Sequence, residues 1–208
     1  VSTGYVAPNL SIVIPTQGRP SLETTLASIR AVAGPDDVEI VVVGDTTNND
    51  FAEPLRDAMA LCSGHRARYA PYDGGAHCWG QPQRNYGQMI ATGKWLAFSQ
   101  DDNVYIDRGL DAMLGDITMS AVMAVPRLYR VQTKFGFVVW MEPFQLALGR
   151  IDADCIVVPR VEEKLGQWGL GYNGDWDFIE QTVGNWGAEP IWCNRLLAQH
   201  QGMMAHAS

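Results

Sequence analysis

Short, wholly apolar runs alternate along this chain with amphipathic stretches, and that alternation predicts most of its elements. Residues 10–15, LSIVIP, are apolar, rich in β-branched side chains and closed by Pro15, as expected of a strand buried on both faces of a parallel sheet. A polar loop over 16–20 follows. Leu22, Leu26, Ile29 and Ala33 then recur at helical spacing behind Ser21, predicting a helix over 21–33 with Ser21 as its N-cap. VEIVVV at 38–43 repeats the buried-strand pattern and delivers Asp45 to a polar stretch that cannot be core. A helix over 51–62 and a strand over 66–70 complete a second strand–helix–strand unit, which right-handed crossovers place in one sheet.

The segment 72–80 is glycine-rich and irregular, and it leads into a predicted helix over 82–92. A strand over 95–99 stops at Gln100-Asp101-Asp102-Asn103. Beyond it the pattern predicts a helix over 108–114, a strand over 121–126, strand-like runs at 135–140 and 155–159, and a helix through 178–183. The expected fold is therefore α/β: a single domain over 1–208 with a mostly parallel, Rossmann-like sheet flanked by helices. Its first half, about 8–130, holds the strand ends where ligands collect on such sheets. The second half, about 131–208, is less regular.

Composition agrees with a folded domain, since 47% of the 208 residues are hydrophobic and 18% charged. The net charge of −8 and a pI near 4.9 weigh against duplex nucleic acid or an anionic bilayer as partner. Four scattered cysteines without a CxxC pair exclude a zinc ribbon and predict reduced thiols. No apolar run reaches the ~18 residues of a membrane span, and no basic-then-apolar leader opens the chain, so the expectation is a cytoplasmic protein.

Asp101 and Asp102, directly after an apolar strand, set two carboxylates at a ligand crevice, where they can hold a hard divalent cation that bridges to phosphates. Spacing alone also fits a solvated acidic turn. The order LSIVIPTQGRP, EIVVVGD, a Gly-Gly loop before RNYG, and WLAFSQDDNVY shifts the balance toward the cation, because it resembles family 2 glycosyltransferases, which share the GT-A fold. The resemblance spans roughly the first half of the chain. It implies a nucleoside-diphosphate-sugar donor, UDP-linked by preference, and a divalent metal, Mn²⁺ or Mg²⁺. Asp102 matches the metal-binding carboxylate of the family's DXD-type motif, and Asp101 its neighbour. Asp45 matches the acid that binds a uracil-type base, Pro15 and Thr16 the turn along the nucleoside, and Arg84 a basic residue facing the diphosphate. Arg19, in the loop after Thr16, joins this nucleotide-binding set.

Farther on, Gly174-Asp175-Trp176-Asp177 resembles the family's Glu-Asp segment, whose aspartate is the base in inverting members. Asp175 takes that position, with Asp177 as the alternative; a helix N-cap would explain Asp175 equally. His200 and His206 are the histidines that could complete a metal shell, as in some GT-A enzymes. Trp168, Tyr172 and Trp176 surround the candidate base and suit the apolar faces of an acceptor sugar, although core packing would use the same residues.

The sequence departs from the family at Gly44, Gly174 and Gln100, each standing where an acid is usual. A second acidic triplet, Asp152-Ala153-Asp154, precedes a strand rather than following one and is read as unrelated to the metal motif. The expected function is metal-dependent transfer of a sugar, with inversion, or with retention as the other outcome that GT-A folds host, to a saccharide, lipid, protein or small molecule. The alternatives are a non-catalytic nucleotide- or carbohydrate-binding module descended from the family, and a nucleotidyltransferase. Against the last, the first turn lacks a glycine-rich loop with a lysine.

Overall fold

A computed structural model describes residues 7–34, 36–46, 59–60, 62, 64–73, 78–119, 124–133 and 145–201. Its centre is an eight-stranded mixed sheet: β1 (Leu10–Thr16), β2 (Val38–Asp45), β3 (Arg66–Tyr72), β4 (Trp95–Phe98), β5 (Asn103–Tyr105), β6 (Arg127–Gln132), β7 (Ile156–Pro159) and β8 (Ile191–His200). The spatial order is β3-β2-β1-β4-β7-β6-β8-β5. Every residue of β1, β2 and β4 is buried, which their unbroken apolar runs require of strands covered on both faces. The flanking helices are α1 (Ser21–Val32), α2 (Gln81–Ile90), α3 (Asp107–Met119) and α4 (Gly174–Trp186).

Pairing register determines what meets at the functional edge. β1 runs parallel to β2, with Leu10 opposite Val38 and Thr16 opposite Gly44, and parallel to β4, with Val13 opposite Phe98. The loops after Thr16, Asp45 and Phe98 therefore leave the sheet side by side. β7 pairs antiparallel with β4, Ala97 opposite Val157, so the residues before Ile156 reach that same edge. β8 runs parallel to β6 and antiparallel to β5, where Asn103 faces His200.

Two glycines set the depth of helix packing. A Cβ at Gly87 would overlap the Val13 side chain, and one at Gly109 the Leu196 carbonyl, so α2 and α3 approach the sheet more closely than any larger residue allows. Beneath the functional edge Trp168 stacks on Phe178, ring centroids 4.6 Å apart, while Phe98 meets both edge-on. At the opposite edge Glu39 is buried in a polar network. Its carboxylate accepts from the Ser11 hydroxyl and from the Thr92 amide at 2.7 Å, and it pairs with Arg68 at 2.9 Å.

Several elements differ from their sequence-based expectation. Ser21 is the first residue of α1 rather than its cap; Pro20 precedes the helix and offers no side-chain acceptor. α3 runs to Met119, well past residue 114, and the following strand lies at Arg127–Gln132, with 124–126 outside it. Asp175 sits inside α4, one residue past its start, so it is not the N-cap. The expected helix over 51–62 and strand over 135–140 lie almost wholly or wholly outside the described residues. The four cysteines are free. Among the described residues no helix is long and apolar enough to cross a membrane.

Candidate functional site

The carboxyl ends of β1, β2 and β4 open into a cavity of about 890 Å³. Pro15, Thr16, Arg19, Asp45, Arg84, Asp101, Asp102, Tyr172, Asp175 and His200 all line it, so most of the residues expected from the sequence converge on one space.

Thr16 and Asp101 fix its floor. The Thr16 hydroxyl donates to Asp101 Oδ2 at 2.6 Å and accepts from the Gly18 amide at 2.8 Å, which ties the loop after β1 to the loop after β4. Arg19, about half exposed, reaches Asp101 and Asp102 at 3.6 Å each. Burial pushes the Asp101 carboxyl above the usual range, partly offset by the Thr16 hydroxyl and the Arg19 charge.

Asp102 and His200 form the pair most suited to a cation. The β5–β8 ladder brings His200 Nε2 within 3.2 Å of Asp102 Oδ2, and the Gln201 amide donates to the Asp102 carbonyl. Asp102 Oδ1 is buried and has no hydrogen-bond partner among the described residues, an expensive state for a carboxylate oxygen that a cation would relieve. The donor set of one carboxylate and one imidazole fits Mn²⁺ better than Mg²⁺. Among the described residues no cluster of three or more His, Cys, Asp or Glu side chains could hold a metal, so a cation at this pair would need further ligands, which phosphate oxygens and water commonly supply. His206 lies outside the described residues.

The triplet read as unrelated to the site is part of it. Because β7 is antiparallel to β4, Asp152 and Asp154 stand beside Gln100 at the cavity edge. Asp154 is fully enclosed and accepts from the Gln100 amide (2.9 Å), from Gln100 Nε2 (3.1 Å) and from Asn103 Nδ2 (2.7 Å). Gln100 Nε2 also donates to Asp152 Oδ1 at 3.2 Å. The glutamine that replaces the family's usual acid is thus a donor between two carboxylates, where a third acid would repel both. Burial and Asp152 push the Asp154 carboxyl well above its ordinary range.

Arg84 is the buried cation of the site. It lies over the Trp168 ring at 5.1 Å, and its guanidinium donates to the Trp79 carbonyl at 2.8 Å. Burial lowers its pKa, while Asp154, Asp152, Asp175 and Asp101 all support its charge. A side chain at Gly174 would meet the Gly169 carbonyl and the Gln81 amide, and one at Gly44 would meet the Tyr69 ring. At both departures from the family, other groups fill the space of the missing acid.

Asp175 and Asp177 separate here. Asp175 faces the cavity, its Oδ1 accepting from the Trp176 amide at 2.8 Å, and burial pushes its carboxyl up to about 6. Asp177 is outside the cavity wall and packs against Gly169. Of the three aromatic residues expected at the acceptor, only Tyr172 lines the cavity. Trp168 is 2% exposed in the core, held through its backbone by both ends of the Asn85 amide, and Trp176 packs against the core. Reasoning from sequence passed over Trp79, Gln81 and Asp152; the irregular glycine-rich segment before α2 was the available signal for the first two.

The sequence matches Glycosyl transferase family 2 over residues 11–160. No curated protein sequence matches the chain. Among solved structures it resembles S. aureus TarS residues 1–349 at 14% identity and a TM-score of 0.76, covering 92% of this chain and 60% of that one. The same protein in complex with UDP-GlcNAc matches at 15% identity and a TM-score of 0.72, covering 92% and 58%. The mannosyltransferase PcManGT from Pyrobaculum calidifontis, in complex with GDP-Man and Mn²⁺, matches at 14% identity and a TM-score of 0.68, covering 94% and 57%. The chain therefore spans about three fifths of the length of these solved chains. With the family match covering well over half of its residues and the GT-A fold around its cavity, the chain belongs to glycosyl transferase family 2.

Proposed function

We propose that the chain transfers a sugar from a nucleoside-diphosphate donor, UDP-linked by preference, to an acceptor hydroxyl, with inversion at the anomeric carbon. The observation that carries this reading is the joint placement in one cavity of the Asp175 carboxylate and of Asp102 Oδ1, which has no hydrogen-bond partner among the described residues. Asp45, Pro15 and Thr16 line the cavity and would contact the nucleoside, and Arg19 and Arg84 supply positive charge to a site otherwise rich in carboxylates. Asp102 and His200 would hold a divalent cation, which when bound stabilises negative charge on the departing diphosphate. Asp175 takes the proton of the acceptor hydroxyl as its oxygen bonds to the anomeric carbon. The bond from that carbon to the diphosphate breaks, and the nucleoside diphosphate leaves with the electron pair.

Support for the nucleotide comes from the neighbours that hold UDP-GlcNAc and GDP-Man. Calorimetric titration of UDP, GDP and dTDP, each with Mn²⁺ and with EDTA, tests the reading. Binding of one nucleotide that weakens at least ten-fold in EDTA is the expected result. A folded protein that binds none of them with Mn²⁺ present would overturn it.

A further inference from the structure

Two aromatic side chains at the cavity have no place in the core. Trp79 is 61% and Tyr172 76% exposed, and they come from segments 93 positions apart in sequence, yet their rings meet edge-to-face with centroids 5.7 Å apart at 81°. Both line the cavity. We propose that they form a stacking corner for a pyranose ring, which makes the acceptor a saccharide; this rests on the glycosyltransferase reading above.

The backbone at Trp79 is a second, independent sign. Its φ of 49° lies in the left-handed region, and among the described residues it is the one non-glycine there. Such strain persists where the surroundings enforce it, and it collects at ligand sites. Here the Arg84 guanidinium holds the Trp79 carbonyl, and Gly80, also at positive φ, lies so close to Pro15 that a Cβ would come within 2.8 Å of that side chain. The ring is thus held out into solvent by a buried cation and a close backbone approach.

The surroundings select the occupant. Two rings at nearly a right angle leave open aromatic faces, which suit the C–H face of a pyranose. The adjoining wall is polar: Gln81, Asn173, Asp152 and Asp175 can meet hydroxyls. A lipid chain or apolar peptide would cover the rings but offer no hydrogen bond to the polar atoms that these groups turn to the cavity, at a cost for each one it shut off from water. The corner also stands beside the candidate base. Tyr172 precedes Asp175 by three residues, and the chain after Trp79 packs against Gly174 through Gln81. A sugar stacked there would share the cavity with the Asp175 carboxylate.

Saturation-transfer NMR on the full chain, with and without UDP and Mn²⁺, tests this. The probes are the methyl glycosides of glucose, galactose, mannose and N-acetylglucosamine, their 1,4-linked disaccharides, and the ringless polyol sorbitol. Saturation of ring C–H protons of at least one pyranoside, and none of sorbitol, is expected. Trp79→Ala and Tyr172→Ala should each weaken that binding about ten-fold, whereas Trp79→Phe retains most of it. Melting curves establish that each variant is folded. A folded Trp79→Ala variant that binds pyranosides as tightly as the parent overturns the proposal. So does a parent protein that binds nucleotide yet saturates no pyranoside, or one whose rings are consumed by a dimer that Trp79→Ala dissolves. Loss of nucleotide binding with the pyranoside signal intact would instead count against the donor reading while supporting the corner.

Discussion

Asp175, as the proposed base, would serve chemistry at the expense of stability. Its carboxyl titrates near 6 in the folded protein, against about 3.9 for an aspartate in an unfolded chain. The folded state therefore holds the proton more tightly, and stability falls as pH rises through the window from about 4 to 6. Above it the site has a charged carboxylate whose ionisation the fold resists. Asp175→Asn should lower turnover by 10²-fold or more, as expected for loss of a general base, and should also raise the melting temperature at pH 7. The gain should shrink toward pH 4, where the parent carboxyl is protonated too. Melting curves at both pH values decide it: lower stability of the variant at pH 7 would mean that the bond to the Trp176 amide matters more than burial. Asp45, Asp101 and Asp102 could be placed at the cavity from sequence because each ends or follows a buried apolar strand, while the roles expected of them rest on the family resemblance. Trp168 and Tyr172 were not separable, since a polar stretch containing both says nothing of Phe98 and Phe178, which come from distant segments to enclose one and not the other.

At the scale of elements, the first half of the sheet could be read locally and the second could not. Parallel strands announce themselves by apolar runs followed by helices, whereas the direction of β7 depends on which strand it joins. Its antiparallel pairing with β4 moves Asp152 and Asp154 from the far edge of the sheet to the site, a reversal that no local pattern encodes. Close packing at the start of α4 is similarly hidden in a single glycine. Restoring even a methyl group at Gly174 forces the Gly169 carbonyl and the Gln81 amide apart, so Gly174→Ala should destabilise the protein by about 1–3 kcal/mol. Urea unfolding measures this. A variant as stable as the parent would mean that α4 can slide away from Gln81 without loss.

Across the whole molecule, polar networks secure both edges of the sheet. Opposite the site, Glu39 joins β1, β2 and β3 to the turn before β4. Burial alone would raise its pKa, but the Ser11 hydroxyl, the Thr92 amide and Arg68 outweigh that and hold it below the ordinary range. Its contribution is present above about pH 4.3, the unfolded value, and is lost as pH falls through the lower folded value. Glu39→Ala should cost about 2–4 kcal/mol at pH 7, because the groups it served are left without a partner. The deficit should narrow in strong acid. Equal unfolding midpoints at pH 7 would show that water replaces the carboxylate freely.

The pairing of β8 with β5 has a consequence in time. Asp102 and the His200 that touches it are 98 positions apart, and α4 with Asp175 also lies late in the chain. Synthesis proceeds from the N-terminus, so a growing chain can assemble Thr16, Asp45 and the paired carboxylates well before it possesses either His200 or Asp175, the proposed base. Contacts of such long sequence separation also close slowly. If Asp175 and His200 act as proposed, chemical competence waits on these late segments, and a nascent chain that has gathered only the first half of the site cannot yet react.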